Sequence, residues 1–198
     1  MKNLAGIVIL LLFFVSQGFS QDKSDIQQPS FAVHFFYNDF ESAANIRSSS
    51  LSSALKNEQF GKIGKMAGGV AVNYFQGICP HADFSVMLAM SNLDYPLQNR
   101  APRGQEKILL EADASVRSKL LTNNYILNPY LQVGVGASAW NGYFGAFIPT
   151  GLGLQINVLN DASIQVNSQY RIPITKTSNY HFFHSIGFAG RIGYLKKK

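Results

Sequence analysis

The sequence predicts an all-β protein, an eight-stranded antiparallel up-and-down transmembrane β-barrel. Three observations carry that expectation: a segment whose two faces differ in chemistry, a shortage of charge, and connections of unequal length. The clearest segment is Ile108 to Leu120. Its even positions read Ile108, Leu110, Ala112, Ala114, Val116, Ser118 and Leu120; its odd positions read Leu109, Glu111, Asp113, Ser115, Arg117 and Lys119. Successive side chains of a strand point to opposite faces, so one face is oily and the other is a ladder of opposite charges. Either the ladder meets water around an apolar core, or the oil meets lipid and the ladder fills a barrel.

Composition favours lipid. Charged residues make up 14% of the chain and aromatics 13%, whereas a typical soluble domain is about 25% charged. A soluble eight-stranded barrel keeps polar residues outside and an apolar pocket within. Here its surface would have to be built from Gly, Ala, Ser, Gln and Asn with scattered charges. Small residues suit a narrow interior better. The same face carries Asp83, Glu111 and Asp113 against Arg117, Lys119, Arg171 and Arg191. Buried unpaired charges are costly, so these seven are expected to form a paired interior network, with Arg117 answering Glu111 or Asp113.

The other strands follow in order. Phe31, Val33, Phe35 and Tyr37 alternate with Ala32, His34, Phe36 and Asn38. Val70, Val72 and Tyr74 oppose Gly69, Ala71 and Asn73. Phe84, Val86, Leu88 and Met90 oppose Asp83, Ser85, Met87, Ala89 and Ser91, and the charged ladder is fourth. Leu131, Val133, Val135 and Ala137 then face away from Gln132, Gly134, Gly136 and Ser138, and Leu152 to Val158 alternate with Gly151 to Asn157. Ile164, Val166, Ser168, Tyr170 and Ile172 oppose Ser163, Gln165, Asn167, Gln169 and Arg171. The eighth sets Phe182, Ile186, Phe188, Ile192 and Tyr194 against Phe183, Ser185, Gly187, Ala189 and Arg191. Each segment runs about 9 to 13 residues, near the 9–11 that cross a bilayer when tilted. Tyr37, Tyr74, Tyr130, Tyr170, Tyr180 and Tyr194 are placed near strand ends, as in an interface girdle.

Connections alternate in length. Asp39–Met66, Leu93–Gly104 and a Gly-rich loop over Trp140–Pro149 are long, whereas Gln76–Pro80, Thr122–Asn128 and Leu159–Asp161 are short; Ile174–Asn179 closes the series. Long loops outside and tight turns in the periplasm are the pattern of outer-membrane barrels, and an even strand number places both termini on the short-turn side. Ser48 to Phe60 is expected to hold a short helix or loop outside the barrel. Upstream, Lys2, the apolar run Leu4–Val15, and Gly18 and Ser20 before Gln21 read as a signal peptide over residues 1–20. A periplasmic segment (21–29), the barrel (30–194) and a basic tail (195–198) complete the expected organisation.

Other chemistries find little support. Cys79 is the sole cysteine, which leaves no internal disulfide and no zinc cluster of the CxxC kind. The net charge of +6 comes partly from Lys196 to Lys198 and has no accompanying basic stripe with interleaved aromatics, so no nucleic acid is expected. His34, His81, His181 and His184 lack ligand spacing, so no metal and no cofactor are expected. His181, His184 and Ser185 invite comparison with a lipid A-modifying hydrolase, yet consecutive His184 and Ser185 point to opposite faces, and no enzyme is expected.

Two stretches carry a resemblance. Asn141-Gly142-Tyr143-Phe144-Gly145-Ala146-Phe147-Ile148-Pro149 with Gly151-Leu152-Gly153-Leu154-Gln155, and Gln169-Tyr170-Arg171-Ile172-Pro173-Ile174-Thr175 with Asn179-Tyr180-His181-Phe182-Phe183, resemble the outer-membrane β-barrel domain of OmpA-like proteins (OmpA/OmpX type). The resemblance runs from Phe31 to about Tyr194 and implies the barrel rather than an activity. Such proteins often continue into a peptidoglycan-binding periplasmic domain; the sequence stops at Lys198, so that function is not among the expectations. Its last aromatic, Tyr194, is followed by Leu195 and three lysines, whereas many barrels end on an aromatic assembly signal. The expectation is an integral protein of the cell outer membrane with outer-membrane lipids as partners. Its role would be structural or surface-interacting, with an extracellular partner met through the Asp39–Met66 loop; the alternative is a narrow pore for small solutes.

Overall fold

The computed structural model describes residues 26–93, 107–159 and 161–192, with Leu159 described by its backbone alone. The expected signal peptide, most of the Leu93–Gly104 loop, Tyr194 and the basic tail lie outside these residues. Eight strands follow one another: β1 (Ser30–Asp39), β2 (Ala67–Cys79), β3 (Ala82–Asn92), β4 (Ile108–Lys119), β5 (Leu127–Trp140), β6 (Tyr143–Leu159), β7 (Ala162–Pro173) and β8 (His181–Arg191). Each pairs antiparallel with its sequence neighbours. β1 also pairs with β8, from Ser30 opposite Arg191 to Asp39 opposite Phe182, which closes the barrel. Closure removes the exposed strand edges that hydrocarbon does not tolerate.

Alternation sets the two surfaces. In β1 burial switches residue by residue, with Ala32, His34, Phe36 and Asn38 inside and Phe31, Val33, Phe35 and Tyr37 outside. β4 obeys the same rule: Leu109, Glu111, Asp113, Arg117 and Lys119 are buried, whereas Ile108, Leu110 and Val116 are exposed. Leu88, Leu131, Val133, Val135, Leu152, Val166, Ile186 and Phe188 extend the exposed apolar surface around the wall. An isolated apolar patch on a soluble monomer rarely exceeds a few hundred Å². A belt on every strand is the surface of a protein solvated by lipid. Among the described residues no helix is long and apolar enough to cross a membrane.

One connection differs from expectation. Trp140–Pro149 is not a long loop: β5 continues to Trp140 and β6 begins at Tyr143, joined by Asn141 and Gly142 alone. Both have positive φ, 47° and 75°, the pair of left-handed residues that a two-residue hairpin requires and that Asn-Gly supplies. The run of glycines suggested a loop, but Gly145, Gly151 and Gly153 are interior strand positions. The remaining long connections, 40–66, 93–107 and 174–180, lie at one end of the barrel. The start of β1, the end of β8 and the short β2–β3, β4–β5 and β6–β7 connections lie at the other.

The 40–66 connection contains two helices, α1 (Phe40–Ser48) and α2 (Leu51–Lys56), followed by a 3₁₀ turn at Ile63–Lys65. Asp39 caps α1 by accepting from the Ser42 N–H at 2.8 Å, and Ser50 caps α2 by accepting from the Ser53 N–H at 3.1 Å. Such caps satisfy backbone donors left unpaired at helix starts. The expected short helix or loop over Ser48–Phe60 contains α2, whereas α1 lies ahead of that span and its first residue, Phe40, turns inward over the barrel mouth.

Candidate functional site

The barrel interior is layered from the long-loop end downward. At the top, Phe40, Leu93 and Leu109 pack together with Ala67 and Trp140 against them. This apolar cap comes from the first turn of α1 and the ends of β3, β4 and β5. Below it, Phe40 stacks on His181, ring centroids 4.4 Å apart. The recess between cap and charges, bordered by Phe40, Glu111 and His181, has only about 20 Å³ of free volume, room for about one water molecule.

The first charged layer centres on Arg171 of β7. Its guanidinium meets Glu111 at 2.7 Å and Asp113 at 3.3 Å, both from β4 across the lumen. Glu111 also accepts from Asn38 Nδ2 at 3.0 Å and faces His181 Nε2 at 3.1 Å. Asp113 accepts from Ser115 Oγ at 2.7 Å. The carboxylates thus share one buried cation and several donors, the arrangement that offsets their desolvation. Aromatic rings hold Arg171 in place: Phe183 lies 3.9 Å and Phe147 4.9 Å from its guanidinium carbon. Phe183 in turn stacks on Phe36 at 4.4 Å and packs with Met87.

The second charged layer lies nearer the termini. Lys119 pairs with Asp83 at 2.9 Å, both fully buried. Arg117 sits between the rings of Tyr130 and Phe75, at 5.1 and 5.3 Å, and donates to Gln165 Oε1 at 3.2 Å. Register explains part of this arrangement. Asp83 stands directly opposite Arg117 in the β3–β4 ladder, yet its carboxylate pairs with Lys119, two residues along the same face of β4, while Arg117 lies between the rings. At the terminal end, Gln27, Asn123, Gln155, Asn157 and Asp161 line an open polar recess.

Six of the seven expected network residues therefore lie inside: Asp83, Glu111, Asp113, Arg117, Lys119 and Arg171. Two readings need correction. Arg191 is exposed at the terminal rim, where it pairs with Asp161 at 3.0 Å, because β8 ends there and its side chain reaches water. Arg117 does not answer Glu111 or Asp113; Arg171, on the opposite wall, does. A third correction concerns Tyr130, which is 2% exposed and lies within the lumen rather than in a girdle. It lies on the face of Gln132 and Asn128, a parity that strand β5 fixes once its start at Leu127 is known.

The interior also holds more rings than a small polar lumen implies: Phe36, Phe75, Phe147 and Phe183 are fully buried. Glycines directly opposite on the neighbouring strand make room for two of them, Phe36 and Phe147, and also for Tyr130 and His34. Phe36 lies over Gly69, Tyr130 over Gly153, Phe147 over Gly136 and His34 over Gly187, and a Cβ on any of these glycines would collide with the ring. The paired Gly and aromatic positions were visible in sequence, but only the register shows that they meet.

On the outer wall Ser168 Oγ and His184 Nδ1 are 2.9 Å apart, across directly opposed positions of β7 and β8. Ser185, next to His184 in sequence, points inward, and it is Ser168 that meets the imidazole. Among the described residues no group of His, Cys, Asp and Glu is arranged to hold a metal.

The closed eight-stranded barrel has counterparts among solved structures. Neisserial surface protein A matches with a TM-score of 0.55 at 12% identity, over 84% of this chain and 98% of that one. The N-terminal β-barrel domain of OprF from Pseudomonas aeruginosa matches with a TM-score of 0.50 at 9% identity, over 83% of this chain and 98% of that one. The fold is that of the eight-stranded outer-membrane β-barrels of OmpA/OmpX type. No protein-family model and no curated protein sequence matches the chain. The barrel therefore shares its fold with those structures at low identity: alternation and closure constrain the backbone, while many side-chain sets can fill it.

Proposed function

We propose that the chain is an integral protein of the cell outer membrane whose barrel serves as a rigid anchor for surface structure, with the 39–66 connection as the part that meets partners outside. The carrying observation is the pairing of a continuous apolar outer belt with a lumen filled by rings and ion pairs. The belt fits lipid solvation, and the filling fits an anchor rather than a conduit. The orientation follows from the loops: longer connections and α1–α2 outside, termini and short turns in the periplasm. The hairpin at Asn141–Gly142 leaves 39–66 as the dominant described feature of the outer end.

Heat-modifiable gel mobility of the outer-membrane fraction tests this reading. A closed barrel stays folded in cold detergent and migrates differently after boiling. The expected outcome is that mobility shift in the outer-membrane fraction; recovery of the chain as a soluble periplasmic protein would refute the proposal.

A further inference from the structure

The segment bearing α1 and α2 does not stand upright above the barrel. Phe60, beyond α2, meets Phe182 edge-on at 5.6 Å, and Phe182 lies on the outward face of β8 in line with exposed Ile186 and Phe188. Arg47, in the last turn of α1, lies 3.6 Å over the ring of Tyr180. Tyr180 stacks on Tyr170, and Tyr170 packs on Phe182. The segment is thus folded outward over the rim of β7 and β8, onto aromatics continuous with the lipid-facing belt.

Its outer side has the chemistry of a membrane surface. Leu51 and Leu55, one helical turn apart in α2, and Ile63 after it are each more than half exposed, at 52%, 55% and 66%. Side chains four apart share a helix face, so α2 shows an apolar edge that water does not favour. Between 40 and 66 the charges are Arg47, Lys56, Lys62 and Lys65 against Glu41 and Glu58. Glu41 is tied to Lys65 at 2.7 Å, which leaves the rest predominantly cationic. Apolar side chains flanked by cations at a lipid boundary are the signature of an interfacial segment.

We infer that the α1–α2 segment docks on the phosphate headgroups of outer-leaflet lipid, with Leu51 and Leu55 dipping into the interface and Lys56 and Lys62 facing phosphate. This rests on the outer-membrane reading above and names the partner that the segment's outer side meets.

The test uses the full chain carrying Cys79→Ser, with a fluorophore on Leu55→Cys, in vesicles of phosphatidylcholine alone or mixed with phosphatidylglycerol. Quenching by a headgroup nitroxide reports docking, and quenching by acrylamide reports water. Headgroup quenching is expected to rise with the anionic lipid. Replacing Lys56→Gln and Lys62→Gln should lower the docked-to-free ratio about fivefold for each cation removed. A label quenched equally by acrylamide with both lipids overturns the inference. So does a label that stays in water while a soluble sulfated polysaccharide binds the segment on neutral vesicles, because the anion recognised would then not be lipid. Heat-modifiable mobility is read on the same samples. A label in water on a closed, inserted barrel overturns the docking alone, whereas a chain that never closes in the membrane overturns the reading beneath it.

Discussion

At the scale of single residues, two buried arginines separate two ways of keeping a cation inside a barrel. Arg171 is held by carboxylates, Glu111 at 2.7 Å and Asp113 at 3.3 Å. Arg117 is held by rings and one amide, Tyr130, Phe75 and Gln165. Removing Arg171 strands two carboxylates in the lumen, whereas removing Arg117 strands none that it directly pairs. Arg171→Met is therefore expected to cost about 3–5 kcal/mol, the usual penalty for breaking a buried pair. Arg117→Met is expected to cost about 1–2 kcal/mol, for a lost hydrogen bond and cation–π contact. Methionine keeps most of the volume, so packing is held nearly constant. Urea titration of the refolded barrel in detergent measures both. Equal midpoints for the two variants would refute the assignment of Arg171 as the network's centre. The ladder from Glu111 to Lys119 was legible because alternation fixes which face a residue takes. Which cation each carboxylate chooses depends on reach across the lumen, and no local pattern records that distance.

At the scale of elements, strand pairing turns a list of glycines and aromatics into a packing rule. Tyr130 of β5 stands opposite Gly153 of β6, and its ring occupies the volume a Cβ would need. Gly153→Ala should therefore destabilise the barrel, and the same change in a Tyr130→Ala background should cost much less. The coupling expected for contacting residues is about 0.5–3 kcal/mol, read from a double-mutant cycle of unfolding midpoints. Additive effects would show that the ring and the glycine do not share space. The same pairing explains what the sequence hid. β7 and the ladder of β4 were readable end to end because their alternation is clean. The start of β6 was not, because Tyr143, Phe144, Phe147 and Ile148 put apolar groups on both faces and Gly145 and Pro149 resemble loop residues. The signal that resolves it is Asn141–Gly142, a hairpin turn whose positive φ values only such a pair accepts cheaply. α1 was illegible for a different reason. It has little apolar periodicity of its own, and it is held by the Asp39 cap and by Phe40 packing over the lumen.

At the scale of the whole molecule, the remaining question is whether the lumen conducts. An eight-stranded barrel has an interior that side chains about fill, and here the filling is cross-braced. Arg171 spans the lumen from β7 to β4, Phe183 and Phe36 stack beside it, and Phe40 and Leu109 close the mouth above. A hydrated path along the axis would have to part the Arg171–Glu111 pair and displace the Phe36–Phe183 stack together. Each of those contacts stabilises the other, since the ring that stacks on Phe36 also covers the guanidinium. That coupling argues for a closed lumen and against the narrow-pore alternative. In planar bilayers the purified native chain is expected to give no steady conductance. Arg171→Ala, which removes the brace and leaves two carboxylates facing the lumen, should show brief cation-selective openings, because lumen charge sets selectivity. Steady conductance of the native chain that is unaltered by Arg171→Ala would place an ion path elsewhere in the barrel and refute the braced interior as its barrier.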